Sequence, residues 1–325
     1  MQSFQIGSNE KDQRFDKYLK KLLQKAPGSF IYKMLRKKNI TLNGKKADGS
    51  EKLKQGDEVK LFLSDETIQK FSKGAPDVSA CYPYTPLEVI YEDKDILAIN
   101  KPVGMLSQKA GSGDISANEY IIGYLLKEQE LTEQDLLTFR PSVCNRLDRN
   151  TSGLLVAGKS LRGLQDMAKQ LNSRLVEKYY RCFVKGKAQG AQALEGWLSK
   201  DGESNQVTLS RQESPGSKYI KIIYVPVEHY RLGEQGVATL LEVQLITGRS
   251  HQIRVQLAAA GHPVIGDQKY GDRAANEWFA RKLHVRSQLL HAYRMKFPDG
   301  KELIAPLNGE FQRVIRSLEK HNVPS

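Results

Sequence analysis

One carboxylate stands between two guanidinium groups in the stretch CNRLDRNTSGLLV, residues 144–156. Arg146 lies two residues before Asp148, and Arg149 directly after it. In an extended segment Arg146 and Asp148 project to the same side and Arg149 points away. A neighbouring positive charge favours the ionised form of an acid. An acid held as carboxylate is a poor general acid, yet it is competent as a nucleophile or an electrostatic stabiliser. A salt-bridged turn, with Asp148 capping a helix, would account for Arg-x-Asp-Arg equally well. The sequel argues for more. Asn-Thr-Ser-Gly is turn chemistry leading straight into a buried aliphatic strand, and charge at the lip of a core is costly unless it is used.

Few other side chains offer chemistry of a different kind. His251 and His262 invite a metal, but their spacing matches no compact ligand set and no Cys/Asp/Glu cluster accompanies them. Cys81, Cys144 and Cys182 are far apart without a CxxC, which argues against zinc and disulfides and fits a reducing cytoplasm. No GxGxxG follows a strand and no GxxxxGK[ST] occurs. The expected site therefore uses no cofactor and no metal.

The elements that must position these groups belong to a chain of 325 residues, enough for one large domain and a small one. Hydrophobic content is 39% and mean hydropathy −0.52, and no run of about 18 apolar residues could span a membrane. The N-terminus lacks the apolar stretch of a signal peptide. A net charge of +13 and a pI near 9.4 favour a polyanionic partner. Residues 1–63 carry 15 Lys/Arg against seven Asp/Glu, so most of the excess lies in the first fifth of the chain.

That first fifth reads as a module of its own. RFDKYLKKLLQK places Phe15, Leu19, Leu22 and Leu23 on one helix face with lysines opposite. GSFIYKMLRKKN follows, with Ser29 as N-cap and Ile31, Met34 and Leu35 as its apolar stripe. A short strand then enters an Asn43-Gly44 turn, and GDEVKLFL alternates as a further strand. Two basic helices, a strand, an Asn-Gly turn and a GDEV strand resemble the S-four-like RNA-binding domain. The resemblance implies that the basic face lies on structured RNA through Arg36, Lys37 and Lys38. Residues 64–85 lack periodicity and read as a linker. Strands are expected at LEVIYED, ILAINKP, LLVAGK, YYRCFVKG, YIKIIYVPV and ATLLEVQLIT. Helices are expected at SANEYIIGYLLKEQ, SLRGLQDMAKQLNS, SHQIRVQLAAAG and GEFQRVIRSLEKH. Hairpin-like turns between strands predict an α+β domain with a mixed, mainly antiparallel sheet, not a doubly wound one.

NRLDRNTSGLLVAGKS resembles the signature of pseudouridine synthases of the RluA type, which act on large-subunit ribosomal RNA and, in some members, tRNA. Further stretches match in order: NKPVGML, EKYYRCFVKG, LITGRSHQIRVQLAAAGHPVIGDQKYG and LLHAYRMKF. The likeness covers roughly residues 86–310. Asn145 departs from the usual His, and FPDGKELIAP lacks a His-Pro; both departures bear on substrate choice. The resemblance implies an isomerisation in which uracil leaves its ribose and rejoins through carbon five, in a site that excludes water. Asp148 would be the nucleophile, whether on ribose C1′ or the uracil ring, or would promote elimination from the sugar. Arg254 would pair with it, one turn inside a helix capped by Ser250. Tyr180 would stack under the base and assist proton removal from C5. Arg146 would fill the space that the flipped base vacates, and Arg249 would contact the RNA. The partner is then RNA, most readily ribosomal, bound by a monomer with no membrane attachment. A tRNA enzyme on the same fold, or an RNA-binding assembly factor without activity, are the rival readings.

Overall fold

In a computed structural model describing residues 1–72, 81–200 and 207–321, the N-terminal pattern folds into a small four-stranded sheet under two helices. Its strands are β1 (Gln2–Gln5), β2 (Ile40–Leu42), β3 (Lys45–Lys46) and β4 (Glu58–Leu61), in the order β1-β4-β2-β3. The helices α1 (Phe15–Leu22) and α2 (Gly28–Arg36) bury the expected stripes, Phe15, Leu19, Leu22 and Leu23 from the first, and Ile31, Met34 and Leu35 from the second. Asn43 and Gly44 both take positive φ, the two-residue turn that joins twisted strands. Two expectations are corrected here. Pro27, not Ser29, stands at the N-cap of α2, because a proline with its φ preset and no N–H to lose opens a helix readily. The stretch read as a linker begins with α3 (Asp65–Phe71), capped by Ser64 and anchored by the buried Ile68. Residues 73–80 of that stretch lie outside the described residues. The small unit touches the large one through polar contacts. Asn9 Oδ1 accepts from the Leu161 N–H (2.9 Å), and Glu10 accepts from the Thr138 hydroxyl (2.7 Å).

Eleven strands make the second sheet: β5 (Val89–Glu92), β6 (Ile96–Lys101), β7 (Ser142–Val143), β8 (Ser152–Gly158), β9 (Glu177–Lys185), β10 (Gln192–Lys200), β11 (Val207–Ser210), β12 (Lys218–Arg231), β13 (Val237–Leu245), β14 (Leu290–Lys296) and β15 (Glu302–Ile304). The order is β11-β10-β12-β13-β9-β14-β8-β6-β5, with β7 on β8 and β15 on β14. Every pairing is antiparallel except β14 with β8. This is the α+β, mainly antiparallel architecture expected. Helices α4 (Ala117–Lys127) and α6 (Gln252–Ala259) cover one face, packing Ile121, Leu125, Ile253 and Leu257 against Leu155, Cys182 and Val243. Helix α5 (Leu161–Asn172) covers β6 and β8 from the other face, while α7 (Arg273–Leu283) and α8 (Gly309–His321) pack against Phe183 and Leu240. Neither β10 nor α7 was expected. The first alternates weakly, and the second buries little besides Phe279.

The Thr-Ser-Gly turn has a steric cause. Gly153 has φ +109°, and a Cβ there would lie 2.2 Å from the Ala292 carbonyl oxygen of the parallel neighbour β14. Only glycine fits both the backbone angle and the approach. Gly153→Ala is expected to cost about 3 kcal/mol or more, since strain and backbone overlap add. Urea unfolding measures this, and a midpoint within error of the parent would contradict the steric account.

Candidate active site

Three anchors fix the loop that carries Asp148. Leu147 is buried, and its backbone is clasped by Ser107, whose Oγ accepts from the Leu147 N–H (2.9 Å) and donates to the Leu147 carbonyl (2.8 Å). Lys101, wholly buried at the end of β6, donates to the carbonyls of Pro102 (2.9 Å), Met105 (2.8 Å) and Arg149 (3.1 Å). Burial lowers its pKa to about 8, against the opposing pull of the Asp148 charge. Asn145, the departure from the family's His, donates its amide to the Leu154 carbonyl (3.1 Å) and accepts from the Val156 N–H (2.8 Å). Its side chain is therefore tied to β8. With Leu147 turned inward, Arg146 and Asp148 both face out of the core, as alternation predicts.

Asp148 has a partner, and it is Arg254. Arg254 Nη1 lies 2.8 Å from Asp148 Oδ2. The other edge of the same guanidinium grips Asp267 in a fork, Nε at 2.7 Å and Nη2 at 2.8 Å. Asp267 is fully buried and also accepts from the N–H groups of Lys269 (2.9 Å) and Tyr270 (3.2 Å). Burial alone would push its carboxyl up, but the Arg254 contacts and the two backbone donors hold it below the ordinary carboxylate range. Burial likewise works against the Arg254 charge, and both aspartates outweigh it, raising the pKa. The guanidinium also lies over the Tyr270 ring, 5.2 Å from its centroid. Such a fork fixes the plane of a guanidinium and so aims its third nitrogen.

The expected Ser250 cap is corrected. The N-cap is His251, in the left-handed conformation at φ 56°, with Nδ1 3.0 Å from the Tyr270 hydroxyl. Tyr180 lies on β9, 6% exposed, and faces the same cleft as Asp148. Burial, then the Asp148 charge, raises the pKa of its phenol, so it stays protonated at neutral pH. The cleft encloses about 740 Å³, with Arg146, Arg149 and Arg249 at its exposed rim. Asp148, Tyr180, Arg254, Arg146 and Arg249 therefore converge, although they come from segments up to 108 residues apart in the chain. Arg36, Lys37 and Lys38 do not line the cleft; they are exposed at the end of α2 on the small unit. Sequence reasoning missed Asp267, Tyr270 and Ser107. Asp267 stands in the quoted Gly-Asp segment, but a pairing across 13 positions, from a helix to the loop beyond it, leaves no periodic signal.

Residues 95–259, which contain the Asp148 loop, β9 and α6, match the family model described as RNA pseudouridylate synthase. The chain belongs to that family, whose members are isomerases that convert uridine to pseudouridine within RNA. Over nearly its whole length it is similar to ribosomal large subunit pseudouridine synthase C of Vibrio parahaemolyticus, 29% identical over 330 residues, covering 99% of this chain and 98% of the relative. The protein of the same name from Pasteurella multocida is 30% identical over 332 residues, covering 97% and 93%. Among solved structures, human RNA pseudouridylate synthase domain containing 4 shares the fold at a TM-score of 0.57 and 20% identity, covering 71% of this chain and 92% of that one.

Proposed function

We propose that this enzyme modifies uridines of large-subunit ribosomal RNA in the cytoplasm as a monomer, with Asp148 as the nucleophile. The observation that carries the site assignment is the Asp148 carboxylate, presented to a cleft beside Tyr180 with Arg254 at its back. The N1–C1′ bond of the target uridine breaks, the base turns, and C5 bonds to C1′ as its proton leaves. Arg254 pairs with the carboxylate and aims it. Tyr180 provides a ring face for the base and stands where it can assist removal of the C5 proton, which passes to solvent as the C5–C1′ bond is completed. The names of the full-length relatives favour ribosomal RNA over tRNA. Mapping pseudouridine in total RNA with and without the gene tests the reading, and loss confined to tRNA positions would overturn the ribosomal part.

Arg146 is exposed beside the nucleophile, where a guanidinium can stack in the gap left by a flipped base. Arg146→Ala is expected to slow turnover on folded RNA more than on a short single strand containing the same uridine. Equal losses on both substrates would assign Arg146 to the loop instead.

The small unit and the stretch after it form an RNA-binding arm in this reading, residues 1–63 being the domain and 86–325 the catalytic one. Deleting residues 1–75 removes the net positive excess around Arg36, Lys37 and Lys38. Each lost phosphate contact flattens the fall of log affinity with log salt by roughly 0.7–0.9. The expected result is a shallower salt slope and a raised KM, with single-turnover chemistry at saturating RNA changed far less. The deletion also uncovers Thr138 and the start of α5, so it is compared with the triple substitution of Arg36, Lys37 and Lys38 by Gln. An unchanged slope in both variants would leave these side chains as solvated surface.

A further inference from the structure

Lys101 is buried and Lys159 and Lys178 are half-buried around the catalytic sheet, and the first two have their charges met. Lys101 donates to three carbonyls, and Lys159 pairs with Glu92 (2.7 Å) and Glu130. Lys178 differs. Among the described residues its ammonium has neither a hydrogen bond nor an ion pair, and the nearby charge that acts on it is another cation, Arg174. The acid beside it on β9, Glu177, projects to the opposite face and accepts the Tyr179 hydroxyl (2.5 Å). Burial, then Arg174, lowers its pKa from the ordinary lysine value.

Its place explains what such a group is for. Lys178 and Tyr180 are two apart on β9, so they share a face, and both line the Asp148 cleft. Gly248 stands next to the ammonium: a Cβ built there would lie 3.7 Å from Lys178 Nζ, and the next residue is Arg249 at the rim. Gly248 thus borders the ammonium at contact distance on the side of the cleft. Withdrawing a cation from water without a counter-charge is destabilising. The arrangement makes sense if the counter-charge arrives with the substrate.

We propose that Lys178, with Arg249, binds the RNA phosphodiester adjoining the uridine that sits between Asp148 and Tyr180. Two residues along a strand span about 7 Å, a distance on the scale of one nucleotide. The ammonium supplies a charge-assisted hydrogen bond and the exposed guanidinium a second point of attachment. The inference rests on the pseudouridine synthase reading, and the experiment separates the two.

Wild type, Lys178→Met and Lys178→Arg are compared for tritium release from RNA carrying C5-labelled uridine, for RNA affinity at several salt concentrations, and for melting temperature. Lys178→Met keeps most of the stem and removes the charge. The expected result is a KM raised about tenfold, the size of one charge-assisted hydrogen bond, and a log–log salt slope shallower by about 0.7. Its melting temperature should be equal to or above that of wild type, because an unpaired cation is gone. Lys178→Arg should retain most of the affinity. Unchanged KM and salt slope in Lys178→Met overturn the proposal, as does a loss of binding that merely follows a fall in melting temperature in both variants. Absence of tritium release by wild type on every ribosomal RNA fragment would instead overturn the enzymatic assignment of the site.

Discussion

Asp148→Asn is expected to abolish pseudouridine formation, with turnover down by at least about four orders of magnitude and RNA affinity kept within a few-fold. Each factor of ten is about 1.4 kcal/mol of barrier, so the amide forfeits some 5–6 kcal/mol of transition-state stabilisation. The size follows from the chemistry: an amide of the same shape fills the same volume but offers no anionic oxygen to the sugar or the ring. Folding should survive, since Arg254 keeps its fork on Asp267 when the Asp148 charge is removed. Tritium release from C5-labelled RNA is the measurement. Activity of the Asn variant within tenfold of wild type would sink the nucleophile assignment.

The second large effect is expected at Asp267, which touches no substrate in the proposed arrangement. Asp267→Asn leaves the Arg254 guanidinium buried with one fewer counter-charge and an amide that cannot accept both of its edge donors. Breaking a buried pair in this way costs about 3–5 kcal/mol. The aim of Arg254 at Asp148 should loosen as well, and misplacement of about 1 Å costs on the order of a hundredfold in rate. Urea unfolding and single-turnover kinetics read the two losses separately; wild-type kcat in a destabilised variant would make Asp267 a folding residue only. The pH dependence has a definite sign. The folded carboxyl is depressed, so the stability it contributes is complete above the unfolded Asp value of about 3.9 and disappears as pH falls through the lower folded value. Wild type should therefore lose its advantage over Asp267→Asn only in acid.

How far the sequence discloses this site depends on the kind of signal. Asp148, Arg254 and Tyr180 sit in contiguous motifs, and their alternation or turn chemistry places each on its element. The small unit's helix stripes and its Asn43–Gly44 turn are equally local, since periodicity and left-handed backbone need no knowledge of the rest of the chain. What stays hidden is what the tertiary fold supplies. The fork between Arg254 and Asp267, the bond from Lys101 to the Arg149 carbonyl and the clasp of Ser107 on Leu147 join residues 13 to 48 positions apart. Helix boundaries fail for a different reason. Pro27 displaces Ser29, and left-handed His251 displaces Ser250, because cap choice depends on the path of the incoming chain, while residue type sets only a preference.

The position of β14 in the sheet has a bearing on how the enzyme comes into being. β8, which follows the Asp148 loop, and β9, which bears Tyr180, are not paired with each other; β14 lies between them, with Ala292 in register with both Gly153 and Tyr180. The strand that joins the two halves of the site is thus made well over a hundred residues after the Asp148 loop. Until it inserts, β9 lacks its partner along Glu177–Cys182 and β8 along Ser152 and Gly153, and closing so distant a contact is slow. A nascent chain therefore carries Asp148 and Tyr180 before the strand that joins their two elements exists, and the cleft between them is completed only once β14 has been made.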